Sequence, residues 1–191
     1  PAAEAALESL ETARRSAVDL QEASLGLTSV SLAATTSTLP QMMKYLAKKS
    51  GKSVELRIDG ADTVVDRQMV DRIGEAMRQL IVNAVVYGIE YPDERAKAGK
   101  ASTGVVSVVI ANDDQHVTIE VSDDGAGVDW TAVRETAAAL DLVGPDPTAD
   151  ELRSVLFSPG FSTNPRSSEF VRDGDGLTRI SQIVEEVFGS I

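Results

Sequence analysis

At 191 residues, with 42% hydrophobic and 25% charged side chains, the chain can close one ordinary core, and no apolar run nears the roughly 18 residues of a membrane span. A formal charge of −12 speaks against a nucleic-acid or anionic-membrane binder, which relies on clustered Lys and Arg. The absence of cysteine excludes a disulfide framework and thiolate metal sites and is compatible with a cytoplasmic location. The chain opens at Pro1 rather than methionine, which reads as a piece of something longer.

Residues 3–25 are rich in Ala, Leu and Glu, with Leu7, Leu10, Ala17, Leu20 and Leu27 near one helical face. A coiled-coil arm and a helix packed on its own domain both fit, because the stripe is too short for a heptad test. Residues 28–38 are small, polar and β-branched and read as a linker. A helix follows over Leu39–Ser50, ended by Gly51, and then the strand SVELRID. Asp66 is placed to cap a long helix in which Met69, Val70, Ile73, Met77, Leu80, Ile81 and Ala84 keep a period of about 3.6.

Pro92 and Gly99 bracket a short helix. GVVSVVIA and HVTIEVS then read as a hairpin. Helices are expected over 130–140, over 149–157 behind a Thr148–Glu151 capping box, and from Leu177 onward. Residues 158–175 look like a mobile loop. Strands and helices do not alternate strictly, so the expected class is α+β, a two-layer α/β sandwich, rather than a doubly wound sheet.

Chemistry concentrates in three places: Asn83 on the long helix, Asp123 before Gly125 and Gly127, and Gly174-Asp-Gly176 at the entrance to the last helix. The plain alternative is a satisfied core amide beside ordinary turns. In this order, however, the three elements resemble the ATP-binding (Bergerat, GHKL) domain shared by histidine kinases with gyrase, mismatch-repair and chaperone ATPases. LIVNAVVYGIEYPDERAKAGK, VTIEVSDDGAGVD and LFSPGFST narrow the resemblance to the CheA-type chemotaxis kinases.

The resemblance implies ATP and Mg²⁺ as cofactors. It implies that Asp123 reads adenine, that Gly125 and Gly127 give the purine room, and that Asn83 offers an amide oxygen to the metal. Tyr87 and Phe157 would border the nucleotide, while Gly174 and Gly176 would present backbone N–H groups to phosphate at a helix start. It further implies a helical dimerisation remnant over residues 1–27, a kinase domain over 39–191, and a phosphoaccepting histidine elsewhere. A response regulator and receptor-coupling partners would complete the system. His116 falls in a hairpin and reads as a surface residue rather than the acceptor.

Several positions depart from the CheA pattern. Gln79 replaces the family's histidine, so it can orient a nucleophile but cannot act as a base near neutral pH. Val82 and Val86 replace polar residues. Arg172, Asp173 and Asp175 alter the lid, where carboxylates repel a triphosphate. Two readings follow: a kinase domain in which Gln79 and Asn83 lie nearest the chemistry, or a pseudokinase scaffold of the same fold. A DNA-clamp ATPase fits the acidic charge poorly.

Overall fold

The computed structural model describes Arg14 and residues 29–113, 116–163 and 176–186. The helix expected over 3–25, and Gly174 with the rest of the altered lid, lie outside them.

In chain order the elements are β1 (Ser29–Ser31), α1 (Ala33–Thr36), α2 (Leu39–Ser50), β2 (Val54–Asp59), β3 (Val64–Asp66) and α3 (Arg67–Asn83). A π-helical turn over Ala84–Gly88 extends α3. Then come α4 (Pro92–Lys97), β4 (Gly104–Asn112), β5 (Val117–Asp123), α5 (Trp130–Ala139), α6 (Ala149–Val155) and α7 (Gly176–Glu186).

The local signals act as their chemistry dictates. Asp66 accepts the Gln68 N–H at 2.8 Å and starts α3, leaving one fewer orphan donor. Gly51 ends α2 in the left-handed region at φ 69°. Thr148 and Glu151 cap α6 reciprocally, through Glu151 N–H to Thr148 Oγ1 at 3.2 Å and Thr148 N–H to Glu151 Oε2 at 2.7 Å.

The main sheet has the order β2-β4-β5. β4 and β5 form the expected antiparallel hairpin, with Val106 opposite Asp123, whereas β2 runs parallel to β4, with Val54 opposite Gly104. On β4, Val106, Val108 and Ile110 are buried while Ser107 and Val109 face the other way. The helices cover that buried face: Leu39, Met43 and Leu46 from α2 join Ile73, Met77 and Ile81 from α3 in one core. Each such side chain contributes about 1.5–3 kcal/mol of burial free energy. The result is a helix layer on a mixed sheet, the two-layer α+β sandwich expected. A second small core, Val133, Ala137, Leu152, Val155 and Phe161, joins α5 to α6.

Within the stretch expected to be a linker, residues 29–38 carry structure of their own. Ser29–Ser31 pairs antiparallel with Val64–Asp66, and Leu32 is wholly buried in the main core, its N–H bonded to the Thr63 carbonyl at 2.9 Å. Leu32 in the core and the Ser29–Ser31 ladder together hold the segment.

Candidate nucleotide site

The site is built from the C-terminal end of α3, the turn after β5 and the first turn of α7. Packing of α7 on α3 brings three predicted residues together. A β-carbon at Gly176 would stand 2.9 Å from Gln79 Nε2 and 3.1 Å from Asn83 Oδ1. A side chain at 176 would have to displace these amides. Arg179 Nε donates to Glu75 Oε1 at 2.9 Å and Arg72 pairs with Glu186 at 3.0 Å, holding α7 in register on α3. The Arg179 hydrogen bond holds the Glu75 carboxyl below its ordinary range.

Gln79 and Asn83 are half-buried, and among the described residues neither side-chain amide makes a hydrogen bond. An orphaned amide oxygen beside a helix N-terminus fits a Mg²⁺–phosphate group, since magnesium takes oxygen ligands and helix N-termini favour anions. Phe157 is half-buried, and its carbonyl accepts from Thr178 Oγ1 of α7 at 3.1 Å, which ties it to the same end. The deeply buried phenylalanine of that stretch is instead Phe161.

Directly after Asn83 the chain enters the π-helical turn, where Ile89 N–H reaches back to the Ala84 carbonyl at 2.8 Å. Lys52 satisfies two carbonyls there, Val85 O at 2.9 Å and Val86 O at 2.7 Å, and lies 5.4 Å from the Tyr91 ring centroid. Burial pushes the Lys52 ammonium below its ordinary pKa, with Glu94 and Glu90 opposing the shift. Tyr87, 41% exposed, and Gly88 close the turn.

Asp123 sits against Gly88: a β-carbon there would be 2.7 Å from Asp123 Oδ1. Asp123 Oδ1 also accepts the Gly125 N–H at 2.9 Å, and Oδ2 has no partner among the described residues. Gly125 owes its missing side chain to the protein itself rather than to a ligand. A β-carbon there would stand 2.1 Å from the Gly88 carbonyl oxygen, which accepts the Ala126 N–H at 3.0 Å. Gly127 differs. Its φ is 74° and nothing lies within 4 Å of where a β-carbon would be, so bare backbone faces open space.

The neighbouring Asp124 does different work. Its Oδ1 accepts the Val105 N–H at 2.8 Å, and its Oδ2 accepts from Arg95 Nη2 at 2.7 Å. Arg95 is 1% exposed and also reaches Glu90 Oε2 at 3.0 Å, while Lys100 Nζ reaches Glu90 Oε1 at 2.7 Å. Burial pushes the Asp124 carboxyl up, but the Val105 N–H and the Arg95 and Lys100 cations outweigh it and leave the carboxyl below its ordinary range. The Lys100 hydrogen bond likewise lowers Glu90 against the opposing effect of burial.

Sequence reasoning assigned Arg95, Lys100 and Asp124 no individual role. One signal existed: successive residues at a strand end face opposite ways, so of Asp123 and Asp124 only one could face a ligand. His116 is exposed at the hairpin, its N–H bonded to Asp113 Oδ1 at 2.7 Å. A cavity of about 720 Å³ between Asp141, Leu142, Asp150 and Glu151 contains none of the predicted site residues, and its carboxylates oppose a polyphosphate. Among the described residues no cluster of three or more His, Cys, Asp or Glu could hold a metal, and no helix is long and apolar enough to cross a membrane.

Residues 69–191 match the family described as histidine kinase-, DNA gyrase B- and HSP90-like ATPases. The chain is 32% identical over 188 residues to chemotaxis protein CheA of Bacillus subtilis (strain 168), covering 96% of this chain and 28% of that protein. To CheA of Listeria monocytogenes serovar 1/2a it is 33% identical over 177 residues, covering 91% of this chain and 29% of that protein. It also superposes on the catalytic domain of histidine kinase ThkA with a TM-score of 0.47 at 18% identity, over 83% of this chain and 80% of that one. The chain thus spans less than a third of the length of the CheA relatives. It belongs to the histidine kinase-, DNA gyrase B- and HSP90-like ATPase family, and it is similar over nearly its whole length to CheA kinases.

Proposed function

We propose that the chain binds Mg·ATP and passes the γ-phosphoryl group to a histidine on a separate acceptor domain, as the kinase unit of a chemotaxis-type pathway. The observation that carries this reading is the meeting of Gln79, Asn83 and Gly176 at the start of α7, with both amides left unpaired by the described residues.

Asp123 Oδ2 accepts the exocyclic amine of adenine, and Gly127 leaves backbone for the ring to lie against. Tyr87 and Phe157 border the nucleotide. Asn83 would hold Mg²⁺ through its amide oxygen, and the metal would supply neutralisation of the polyphosphate. Gly176, with Gly174 before it, offers backbone N–H groups to the phosphates. Gln79 orients the acceptor imidazole without taking a proton from it. Catalysis of this kind rests on positioning and charge stabilisation. The acceptor lies on another domain or chain, and a response regulator takes the phosphoryl group from it. Coupling proteins and a dimer through residues 1–27 complete the assembly, which works in the cytoplasm.

Phosphotransfer from ATP to a histidine-bearing acceptor domain tests this. Asn83→Ala should abolish it in a folded protein, and retained transfer would sink the assignment. A pseudokinase reading is favoured by the replacements at Gln79, Val82, Val86, Arg172 and Asp175, of which Gln79 stands where the family's histidine is expected. Gln79→His separates the two: a large gain marks a weakened enzyme, and inactivity in both forms marks a scaffold.

A further inference from the structure

Among the described residues Arg95 is the largest side chain shut almost wholly from water. Burying a guanidinium is costly unless its donors are all used, and an apolar residue would anchor α4 equally well. Here the donors converge on one place. Arg95 Nε binds the Ala101 carbonyl at 2.7 Å, Nη1 binds Glu90 Oε2 at 3.0 Å and the Asp124 carbonyl at 3.2 Å, and Nη2 binds Asp124 Oδ2 at 2.7 Å.

Lys100 completes the arrangement, donating to the Asp124 carbonyl at 3.0 Å and the Gly125 carbonyl at 2.8 Å. The two residues that follow Asp123 are thereby fixed through their carbonyls, and Gly88 blocks Asp123 from the other side. Among the described residues no hydrogen bond runs from Arg95 or Lys100 to Asp123 itself.

We propose that Arg95 and Lys100 are positioning residues for base selection: through Asp124 and Gly125 they hold the Asp123 carboxylate at the one angle that accepts an exocyclic amine. This rests on the reading of Asp123 as the base contact. A hydrogen bond to a charged acceptor is directional, so loosening the turn penalises a nucleotide that uses the amine more than one that lacks it.

The test compares Mg·ATP with the Mg·triphosphate of purine riboside, which lacks the amine, binding to the full chain and to Asp123→Ala, Lys100→Met and Arg95→Lys. Asp123→Ala should erase the preference for ATP. Lys100→Met and Arg95→Lys should each cut it by about tenfold through weaker ATP binding, with the analogue unchanged within about twofold. A preserved preference in Lys100→Met, or equal weakening of both nucleotides, would overturn the positioning role while leaving Asp123 in place. An unchanged preference in Asp123→Ala would overturn the base contact itself. Lys100 is one-third exposed, so its variant carries the test even where Arg95→Lys fails to fold.

Discussion

The two ends of the candidate site are built on opposite principles. Around Asp123 nearly every polar neighbour is already paired: Asp124, Arg95, Glu90 and Lys100 form a closed network under the turn. Around Asn83 the amides of Gln79 and Asn83 wait without protein partners among the described residues. A preformed end costs no ordering when the ligand arrives, whereas an open end keeps its hydrogen-bonding capacity for the ligand. On the proposed reading, selectivity would belong to the wired end and ligand-dependent ordering to the open one.

That contrast can be broken by mutation, and the largest effect should come from the wired end. Arg95→Ala leaves Glu90 and Asp124 without their buried cation and should cost about 3–5 kcal/mol of unfolding free energy. A loss under about 1 kcal/mol in denaturant titration would show that the network is ornamental.

Next in size is the response of the open end to ligand. Mg·ATP at about 100 times its dissociation constant should stabilise the protein by about 2.7 kcal/mol. Asn83→Ala should unfold at nearly the wild-type midpoint without ligand and lose most of that gain. If it unfolds early without ligand, the amide was a structural group.

Gly125→Ala puts a methyl group into the Gly88 carbonyl and should cost about 1–3 kcal/mol, whereas Gly127→Ala meets no atom and strains only its own backbone. Equal costs at the two glycines would contradict the division of labour between them.

The smallest effect is pH dependence. Asp124 and Glu90 both have folded pKa values below their ordinary ones, so the unfolded chain takes up protons first as pH falls. Their stabilisation is complete above the ordinary carboxyl pKa of about 4 and drains away as pH drops toward the lowered folded values. Asp124→Asn should flatten this acid limb of the stability curve; an unchanged slope would remove Asp124 as a contributor.

Much of the scaffold was legible because it follows from local rules. The Asp66 cap, the period of α3, the β4–β5 hairpin and the Thr148–Glu151 box each depend on residues within a few positions of one another. What escaped depends on distance. The parallel partnership of β2 and β4 joins residues fifty positions apart, Val54 with Gly104, and leaves no mark in either strand.

Nothing next to Arg95 in the sequence marks its partner, and only the fold reveals the carboxylate awaiting it 29 residues later. The π-helical turn was equally hidden, since nothing in AVVYG marks it off from an ordinary helix end and two of its carbonyls are satisfied by Lys52 from more than thirty positions away. At the site, the reason for Gly125 was not legible, because the backbone that crowds it belongs to Gly88.

The ladder of Ser29–Ser31 with Val64–Asp66 turns the entry to this domain into a mechanical joint. Asp66 is both the end of that ladder and the cap of α3, and α3 ends at Asn83. A twist delivered to the chain before Ser29 therefore meets a hydrogen-bonded ribbon fastened to the near end of a stiff rod about 25 Å long, whose far end carries Asn83.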